Sequence, residues 1–541
     1  MKITFLGHAG FYVETKFGSV LCDPWFNPAY FASWFPFPRN DHLDKTLISN
    51  PKYLYLSHLH FDHYDPEFLR EYVSKDAIVL LPDYPLPLLE RAYRELGFQH
   101  FIRTKNREAV EHEGLRFIIL AMTAPMDGPL GDSSIIIDDG ETRIIDQNDS
   151  RPIDFDTIGA YGPYNAHLVQ FSGAIWYPMV YRFPHKMSVA LGAKKRENEM
   201  ARALRFIQET NAAHIVPSAG PPCFLDPDLY HINDFYNDPS NTFPDQTIFI
   251  EYLREHGKPN THLMLPGSVM LLNGNECAVE QPIGDEEISY LFTHKKEYLD
   301  QYQQDMLPLL QSMKDSWPRG QIYIPAALKE WFEPLLQVAD HICVGINGKV
   351  ILDCGDQAVV IDFQKRLVYP WDRGEWDYYY KVDSSLLESL ILRRQEDWVN
   401  DLFLSCRFEA ERKGPYNEYI YVFFKGLSME RIAYIDGYYA ELASDDQFFE
   451  KDGYRIQRRC PHLKADLTRF GAIQDGILTC ALHNWQFELD TGKCITSNDR
   501  SLYAKKLLQE DAAATQEDTV WIKPRALKCG HCWYRPEDKG R

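Results

Sequence analysis

Four residues that can bind metal ions crowd into one short segment, "LSHLHFDHYD" at 56–65. His58, His60, Asp62 and His63 fall within six positions, directly after an apolar run that ends at 56. Imidazole suits zinc and iron, and carboxylate adds a harder oxygen ligand. A loop after a buried strand can turn neighbouring side chains toward different points. We therefore predict that His58 and His60 bind one metal ion and Asp62 and His63 a second. The alternative is a surface loop rich in Asp and His.

A second cluster joins sulfur to nitrogen ligands. Cys460 and His462 form a C-x-H pair, Cys480 and His483 a C-x₂-H pair, and seventeen residues separate the pairs. In a Rieske 2Fe–2S cluster two Cys bind one iron and two His bind the other, so each pair must supply one residue of each kind. The alternative is a zinc site with the same ligands. The stretch "CPHLKADLTRFGAIQDGILTCALHNWQFELDTGKC" resembles a Rieske domain over about 436–525, with Ala481 where Pro is common.

The first cluster also resembles a known superfamily. "FLGHAGFYVE", "DPW" at 23–25 and "SHLHFDHYD" are similar to metallo-β-lactamase-type proteins over about 1–290. The resemblance implies an αββα sandwich with metals at one edge of two sheets. It also implies a bridging carboxylate, for which Asp149 is the best match and Asp146 the second.

The sequence departs from that pattern where a third His is expected. The segment 121–134 contains none, so Asp127 or Asp132 is predicted to substitute. A last His near "HIVPSAGPP" would be His214, which could equally be a core residue, with Ser218 at the tip. A site poorer in His and richer in carboxylate favours iron over zinc.

The elements that position these residues follow from periodicity. Residues 1–290 alternate strand and helix patterns, with an Asp-Gly hairpin turn between "SSIIID" and "TRIIDQND". Residues 291–435 form a mixed α+β middle region, helical at first and then strand-like, including "HICVGINGKVILDC" and "EYIYVFFKG". Residues 436–541 form an all-β Rieske domain with a C-terminal extension. The fold class is α/β in three parts.

The composition of the chain argues against some classes of function. The chain has 541 residues and a net charge of −21 without a basic run, which argues against nucleic-acid binding. No apolar run suits a signal peptide or a membrane span, so we expect a cytoplasmic protein without membrane contact. Eleven Cys in so long a chain argue against a disulfide scaffold. Cys529 and Cys532 near the C-terminus are read as free thiols or half of a minor metal site.

The pairing of the two clusters predicts an oxygenase. A hydrolytic dizinc site needs no electron donor, whereas iron that activates O₂ needs electrons one at a time. The CMP-N-acetylneuraminate hydroxylase family combines the same two modules in the opposite order, and "DQNDSR" at 146–151 resembles its metal segment. This resemblance implies a di-iron or mono-iron oxygenase that hydroxylates or N-oxygenates a small polar molecule, for example a nucleotide sugar or amino sugar. A ferredoxin or reductase would supply the electrons.

Substrate contacts are expected in the loops after Asp149. The tentative set is Arg151, Tyr164, Arg182 and His185, and His8 could support a ligand or the substrate. A homodimer is expected if the two metal sites of one chain are too far apart for electron transfer. Two other hypotheses remain open: a metal-dependent hydrolase with a regulatory Rieske domain, and a redox protein whose sandwich binds metal without catalysis.

Overall fold

The computed structural model describes residues 1–173, 175–234, 237–441, 448–462, 465–482, 484–496 and 500–507. Within these residues, no helix is both long and apolar enough to cross a membrane. The predicted cluster ligand His483 and the pair Cys529 and Cys532 lie outside the described residues.

The first 284 residues alternate strands and helices. The strands are β1 Lys2–Gly7, β2 Gly10–Thr15, β3 Gly18–Cys22, β4 Phe35–Pro36, β5 Tyr53–Tyr55, β6 Ile78–Leu81, β7 His100–Arg103, β8 Ala109–His112, β9 Leu115–Met122, β10 Asp132–Asp138, β11 Arg143–Asn148, β12 Ala166–Gln170, β13 His214–Ser218, β14 Pro222–Cys223, β15 Val269–Asn273 and β16 Glu276–Glu280. The helices are α1 Pro66–Glu71, α2 Leu88–Glu95, α3 Phe155–Tyr161, α4 His185–Thr210 and α5 Gln246–Glu255.

These strands build two packed sheets. One sheet has the order β16-β15-β1-β2-β3-β5-β6-β7 and the other β13-β12-β11-β10-β9-β8. Helices α1 and α2 cover the outer face of the first sheet, and α4 and α5 pack on the outer face of the second. The αββα sandwich expected from the sequence is confirmed.

Strand β9 illustrates why the second sheet is covered on both faces. Phe117 and Ile119 point into the core between the sheets, whereas Ile118 and Leu120 point to the opposite face. Successive side chains of a strand alternate between faces, so a strand that is apolar on both must be buried on both.

The middle of the chain begins with helices α6 Asp285–Thr293 and α7 Lys295–Asp315. They pack against the sandwich segments 35–37 and 223–225. A separate α+β unit follows, with α8 Ile324–Val338, α9 Asp340–Ile346, β17 Lys349–Asp353, β18 Val359–Asp362, β19 Leu367–Pro370, β20 Tyr378–Val382, α10 Ser384–Leu392, β21 Phe408–Arg412, α11 Glu418–Lys425 and α12 Met429–Glu441. Its strands form one sheet in the order β19-β18-β17-β20-β21.

Two strand predictions in this unit were wrong. The run "EYIYVFFKG" forms helix α11, which Asn417 caps by accepting a hydrogen bond from the Tyr419 amide at 3.0 Å. The segment 340–346 forms helix α9 rather than the start of a strand. Both runs are mostly apolar and buried, and a continuous apolar run does not distinguish a buried helix from a buried strand.

The last unit packs on the outer face of the second sheet. It contains β22 Phe448–Lys451, β23 Tyr454–Gln457, α13 Leu467–Phe470, β24 Gly471–Gln474, β25 Ile477–Cys480, β26 Trp485–Glu488 and β27 Ala504–Lys506. The strands form two small antiparallel sheets, β22-β23-β27 and β24-β25-β26. Its core residues Cys460, Cys480 and Phe487 join one apolar cluster with Ile118 and Ile136 of the sandwich.

Candidate metal centre

The loop that carries the histidines is fixed at both ends. Strand β5 ends at Tyr55 and helix α1 begins at Pro66, which suits the first turn of a helix. Asp65 caps this helix by accepting a hydrogen bond from the Phe68 amide at 3.0 Å. The same carboxylate accepts a bond from the Phe26 amide at 2.9 Å, which ties the loop to the segment after β3.

One group of potential ligands contains His8, Asp62 and His63. One ligand atom from each of these side chains lies within 4.8 Å of the other two. His8 Nε2 is 2.8 Å from Asp62 Oδ2, although the two residues are 54 positions apart. His8 reaches this position from the turn between β1 and β2, where its φ is +53°.

A second group contains His58, His60 and Asp149, again with ligand atoms within 4.8 Å of one another. His58 Nε2 lies 2.8 Å from His60 Nδ1. The two groups adjoin, because His63 Nε2 is 3.5 Å from Asp149 Oδ1. Such adjacency is typical of two-metal sites, whose ions lie roughly 3.5–4 Å apart.

Residues outside the two groups hold several of the candidate ligands in place by hydrogen bonds. Asp23 accepts bonds from the Ser57 amide at 2.7 Å and lies 3.0 Å from His63 Nδ1. The Tyr30 hydroxyl donates to Asp62. Gln170, the last residue of β12, donates to Asp149 Oδ1 at 2.6 Å. These partners fix ring and carboxylate orientations, as outer partners of metal ligands commonly do.

Burial and charge act against each other in this cluster. Burial opposes ionisation of Asp62, yet the charge of His63 and the hydrogen bond from His8 hold the pKa of Asp62 well below its usual range. Burial likewise disfavours the charged form of His63, but Asp149 and Asp62 raise the pKa of His63. The pKa of Asp149 is likewise lowered despite burial, so both carboxylates give the pocket negative charge that favours a bound cation.

The donor atoms fit two metal ions. His8 Nδ1, His60 Nε2 and His63 Nε2 are buried and have no hydrogen-bond partner among the described residues. A buried polar atom left unpaired costs about 1–3 kcal/mol, which a coordinated cation would remove. Each group offers two imidazoles and one carboxylate, a set that suits iron or zinc.

The other predicted carboxylates have different surroundings. Asp132 Oδ1 lies 3.2 Å from His58 Nδ1, on the ring nitrogen away from His60. Asp127 accepts a bond from the Ala124 amide at 3.1 Å within a turn, and burial with the charge of Asp132 raises the pKa of Asp127 to about 7. Asp127 and Asp146 belong to neither group of three among the residues that the structure covers.

Of the four predicted substrate residues, two make contacts elsewhere and a third is exposed. The Tyr164 hydroxyl donates to the Ile158 carbonyl at 2.6 Å, and its ring lies in the core. Arg182 pairs with Glu409 and Glu411 of the middle unit. His185 is the exposed first residue of α4. These contacts give Tyr164 a packing role and Arg182 a role in joining two units.

Arg151 differs from those three. Its side chain forms no hydrogen bond or ion pair with any other described residue. It is close enough to Asp149, Asp127 and Asp132 for their charges to act on the pKa of Arg151, which burial lowers. An unengaged guanidinium beside the metal groups can bind an anionic part of a ligand.

The cysteine–histidine cluster occupies two loops of the last unit. Cys460 and His462 follow β23, Cys480 ends β25, and all three are at most 3% exposed. The ring of His462 stacks on Trp485, with centroids 4.2 Å apart. Buried thiols and an imidazole on converging loops fit an iron–sulfur cluster, with His483 outside the described residues.

The middle unit contacts the cluster ligand directly. Glu418 Oε2 lies 2.8 Å from His462 Nε2, so His462 would bind iron through the opposite ring nitrogen, Nδ1. Glu418 is fully buried and also accepts a bond from the Tyr439 hydroxyl at 2.9 Å. The acidic first residue of α11 therefore orients a ligand of the neighbouring unit.

Helix α4 connects the two metal-type sites within one chain. Arg202 Nη1 donates to the carbonyl oxygen of Leu482 at 2.9 Å, next to Cys480 and His483 in sequence. Arg202 also pairs with Glu199. Burial and the nearby charge of Arg151 lower the pKa of Arg202, and the charge of Asp149 opposes this effect only in part. One buried guanidinium of the sandwich thus contacts the cluster loop.

Sequence reasoning missed several supporting residues, among them Asp23, Glu418 and Arg202. Asp23 stands in "DPW" at the end of β3, next to the metal loop in a parallel pair, which was a usable signal. Glu418 and Arg202 act across units, and no local pattern reveals such contacts.

Two family models match the chain. A Rieske 2Fe–2S domain matches residues 441–504, which confirms the C-terminal Rieske prediction. An Rv3818-like, SCP2-like domain matches residues 324–441, where sequence reasoning found no motif.

Comparison with known proteins gives relatives of full length. A Rieske 2Fe–2S iron–sulfur protein of Mycolicibacterium smegmatis is 46% identical over 521 residues, covering 94% of this chain and 100% of the relative. A Rieske 2Fe–2S iron–sulfur protein of Mycobacterium tuberculosis, Rv3818, is 45% identical over 516 residues, covering 94% of this chain and 100% of the relative. Its name states no activity.

Among solved structures, isothiocyanate hydrolase from Delia radicum gut bacteria is 16% identical, with a TM-score of 0.36, over 51% of this chain and 100% of that protein. CmlA, a diiron β-hydroxylase from Streptomyces venezuelae, is also 16% identical, with a TM-score of 0.34, over 50% of this chain and 54% of that protein.

Proposed function

The chain belongs to the family of Rv3818-like Rieske 2Fe–2S iron–sulfur proteins, and from that premise we propose that it is a Rieske-coupled non-haem iron oxygenase. The observation that carries the proposal is the contact of Arg202 with Leu482. Through it, helix α4 of the sandwich that carries the metal groups touches the loop between Cys480 and His483.

The residues for the first metal group are His58, His60 and Asp149, and those for the second are His8, Asp62 and His63. The Rieske ligands are Cys460, His462, Cys480 and His483. Iron bound in the sandwich would supply O₂ activation, and the cluster would supply single electrons from a ferredoxin or reductase.

The protein's own side chains perform the positioning. Asp23 and Ser57 hold His63 from behind, and Tyr30 donates a hydrogen bond to Asp62. These bonds fix the ligand geometry before substrate arrives, so little reorganisation is required during turnover.

The middle unit packs against the metal loop and shields part of the metal edge from water. Asn400 donates to the Leu59 carbonyl within the metal loop at 2.8 Å, and Lys425 donates to the Met126 carbonyl at 3.0 Å. An apolar cluster that includes Trp25, Leu130 and Trp176 continues into this unit. Exclusion of water protects reactive species from side reactions.

Arg151 is our candidate for substrate positioning. Its unengaged guanidinium beside Asp149 suits a carboxylate or phosphate of a small polar substrate, which would be hydroxylated or N-oxygenated. No contact among the described residues distinguishes a nucleotide sugar or an amino sugar from other small polar substrates.

The test is metal and sulfide analysis after anaerobic purification, with Mössbauer spectra of the iron. About four irons and two sulfides per chain would support a cluster plus a di-iron site. Two irons, two sulfides and one or two zinc ions would instead favour the metal-dependent hydrolase.

A functional test does not require the substrate. The anaerobically reduced protein is mixed with O₂, and reoxidation of the cluster is followed by its absorbance. Under the proposal His60→Ala slows reoxidation, because electrons no longer pass to the sandwich site. Equal rates in the wild type and His60→Ala would contradict the proposal. Cys460→Ser should abolish electron delivery, whereas it would leave a hydrolase active.

A further inference from the structure

A third group of metal-type side chains lies at the opposite end of the sandwich. His214, His262 and Cys277 each offer a ligand atom within 4.8 Å of the other two. Strand β13 begins at His214 and ends at Ser218. The next residue, Ala219, donates its amide hydrogen to the carbonyl oxygen of His8, so the far end of the strand lies beside the candidate metal centre. Five residues of strand separate the ends by about 13 Å, so this group is distinct from the catalytic loop.

Each of the three residues comes from a different part of the fold. His214 belongs to the edge strand of one sheet, and Cys277 to β16, the edge strand of the other. His262 follows α5, in a segment held to β13 by the bond from the His262 amide to the Ile215 carbonyl at 2.9 Å. Cys277 lies on the inward face of β16, where the burial of residues alternates along the strand. The group therefore bridges the open edges of both sheets.

The hydrogen bonds set the tautomer of His214. Its Nε2 lies 2.9 Å from the Asn275 carbonyl, which can only accept, so Nε2 carries the proton. His214 Nδ1 is then an acceptor, and it lies 3.0 Å from His262 Nε2. A carbonyl that fixes the distal nitrogen of an imidazole is a common support for a metal ligand.

The spacing suits a tetrahedral ion with little movement. At zinc, bonds of about 2.0–2.1 Å to nitrogen and 2.3 Å to sulfur give N···N and N···S separations of roughly 3.3 and 3.6 Å. The observed N···N distance of 3.0 Å requires only a small opening of the ring pair.

We propose that His214 Nδ1, His262 Nε2 and Cys277 Sγ form a zinc site that fastens the two sheet edges together. On binding, the Cys277 thiol loses its proton to solvent and a zinc–sulfur bond forms. The His262 proton moves from Nε2 to Nδ1, which frees Nε2 for the metal. The fourth position is open to water. Two imidazoles and a thiolate favour zinc over calcium or magnesium.

Cobalt is the probe, because a cobalt–thiolate bond gives a near-ultraviolet charge-transfer band. The catalytic groups contain no thiol, and the Rieske thiols are already bound to iron, so neither produces this band. Cys529 and Cys532 could also bind the probe, so every sample carries Cys529→Ser and Cys532→Ser. Difference spectra are recorded on the iron-loaded full chain.

The expected result is about one equivalent of cobalt with a thiolate band that is absent in Cys277→Ser. Zinc should displace the cobalt, and His262→Asn should weaken zinc binding by at least about tenfold. His256→Asn is the matched control and should leave binding unchanged, since His256 is exposed and its side chain contacts the carbonyl and the ring of Tyr252. No thiolate band in the parent protein, or a band that persists in Cys277→Ser, would overturn the proposal.

Discussion

Arg202 Nη1 donates a hydrogen bond of 2.9 Å to the carbonyl oxygen of Leu482, two positions after the cluster ligand Cys480. This bond crosses from the metal-binding sandwich to the Rieske unit within one chain. Together with the contact of Glu418 and His462, it brings all three units to one junction. The Rieske unit is therefore held to both other units by direct contacts within one chain.

The first prediction concerns the potential of the cluster. A buried cation near the cluster stabilises the reduced form of the cluster. Arg202→Gln should therefore lower the reduction potential by several tens of millivolts. A unit charge at about 10 Å has an effect of this size in a medium of dielectric constant about 20. Redox titration followed by electron paramagnetic resonance measures the shift. Arg205→Gln is the control, because Arg205 also donates to a Rieske carbonyl, that of Arg469, farther from the ligands in sequence. Equal shifts in both variants would mean that Arg202 acts only by docking the units.

The second prediction tests His8 as a metal ligand. His8→Ala should remove about one metal ion per chain from the sandwich, because Asp62 and His63 alone provide two ligands where three are present now. Elemental analysis with sulfide determination measures this loss, and the two inorganic sulfides of the cluster should remain. His100→Ala, an exposed histidine of β7, serves as the control. Full metal content in His8→Ala would show that His8 supports a ligand and does not bind the metal ion itself.

The sequence predicted the parts of this protein that are local. The predicted metal residues of the loop 56–65 lie close together in sequence, and the predicted cluster residues follow the spacing of a Rieske domain, so both sets could be proposed without a structure. His8 was seen only as a supporting residue, because it reaches Asp62 across 54 positions through the pairing of strands.

Long-range contacts account for most of the errors. Glu418 was read as part of a strand because helix α11 is short and buried at nearly every position, and a short apolar run does not distinguish a buried helix from a buried strand. Arg182 was expected near a substrate, yet it meets Glu409 and Glu411, which lie in a different unit. Such pairings depend on how units dock, which a single sequence does not encode in any short pattern.

The third prediction concerns Asp23, which orients the ring of His63 through its Nδ1 atom. Its φ is +39°, a region that Asn also tolerates, so Asp23→Asn should keep the backbone. The variant loses the anionic acceptor for His63 Nδ1, and metal affinity should fall about 10–100-fold. Competition with a chromophoric chelator measures the affinity. Asp139→Asn is the control, because that carboxylate caps a turn far along the sequence. An unchanged affinity would show that Ser57 alone orients the ring.

The last prediction concerns the attachment of the middle unit to the sandwich. Asp226 is fully buried and pairs with Arg407 at 2.6 Å and Lys314 at 2.7 Å. Asp226→Asn leaves Arg407 buried without its counter-charge, which should destabilise the protein by about 3–5 kcal/mol. Thermal unfolding at neutral pH measures the loss. The matched control is Asp228→Asn, which also touches Lys314 but is 77% exposed and should cost at most about 1 kcal/mol.

The pH dependence of this difference follows from the direction of the shift. Burial alone would raise the pKa of Asp226, but Arg407 and Lys314 lower it below the ordinary value of 3.8. A carboxylate whose folded-state pKa is depressed stabilises the fold above its unfolded pKa and loses that contribution as pH falls through the folded value. The gap between wild type and Asp226→Asn should therefore be constant from pH 7 to about 5 and shrink below about 3.8. A gap that stays constant below that pH would show that the loss arises from packing rather than from the charge of Asp226.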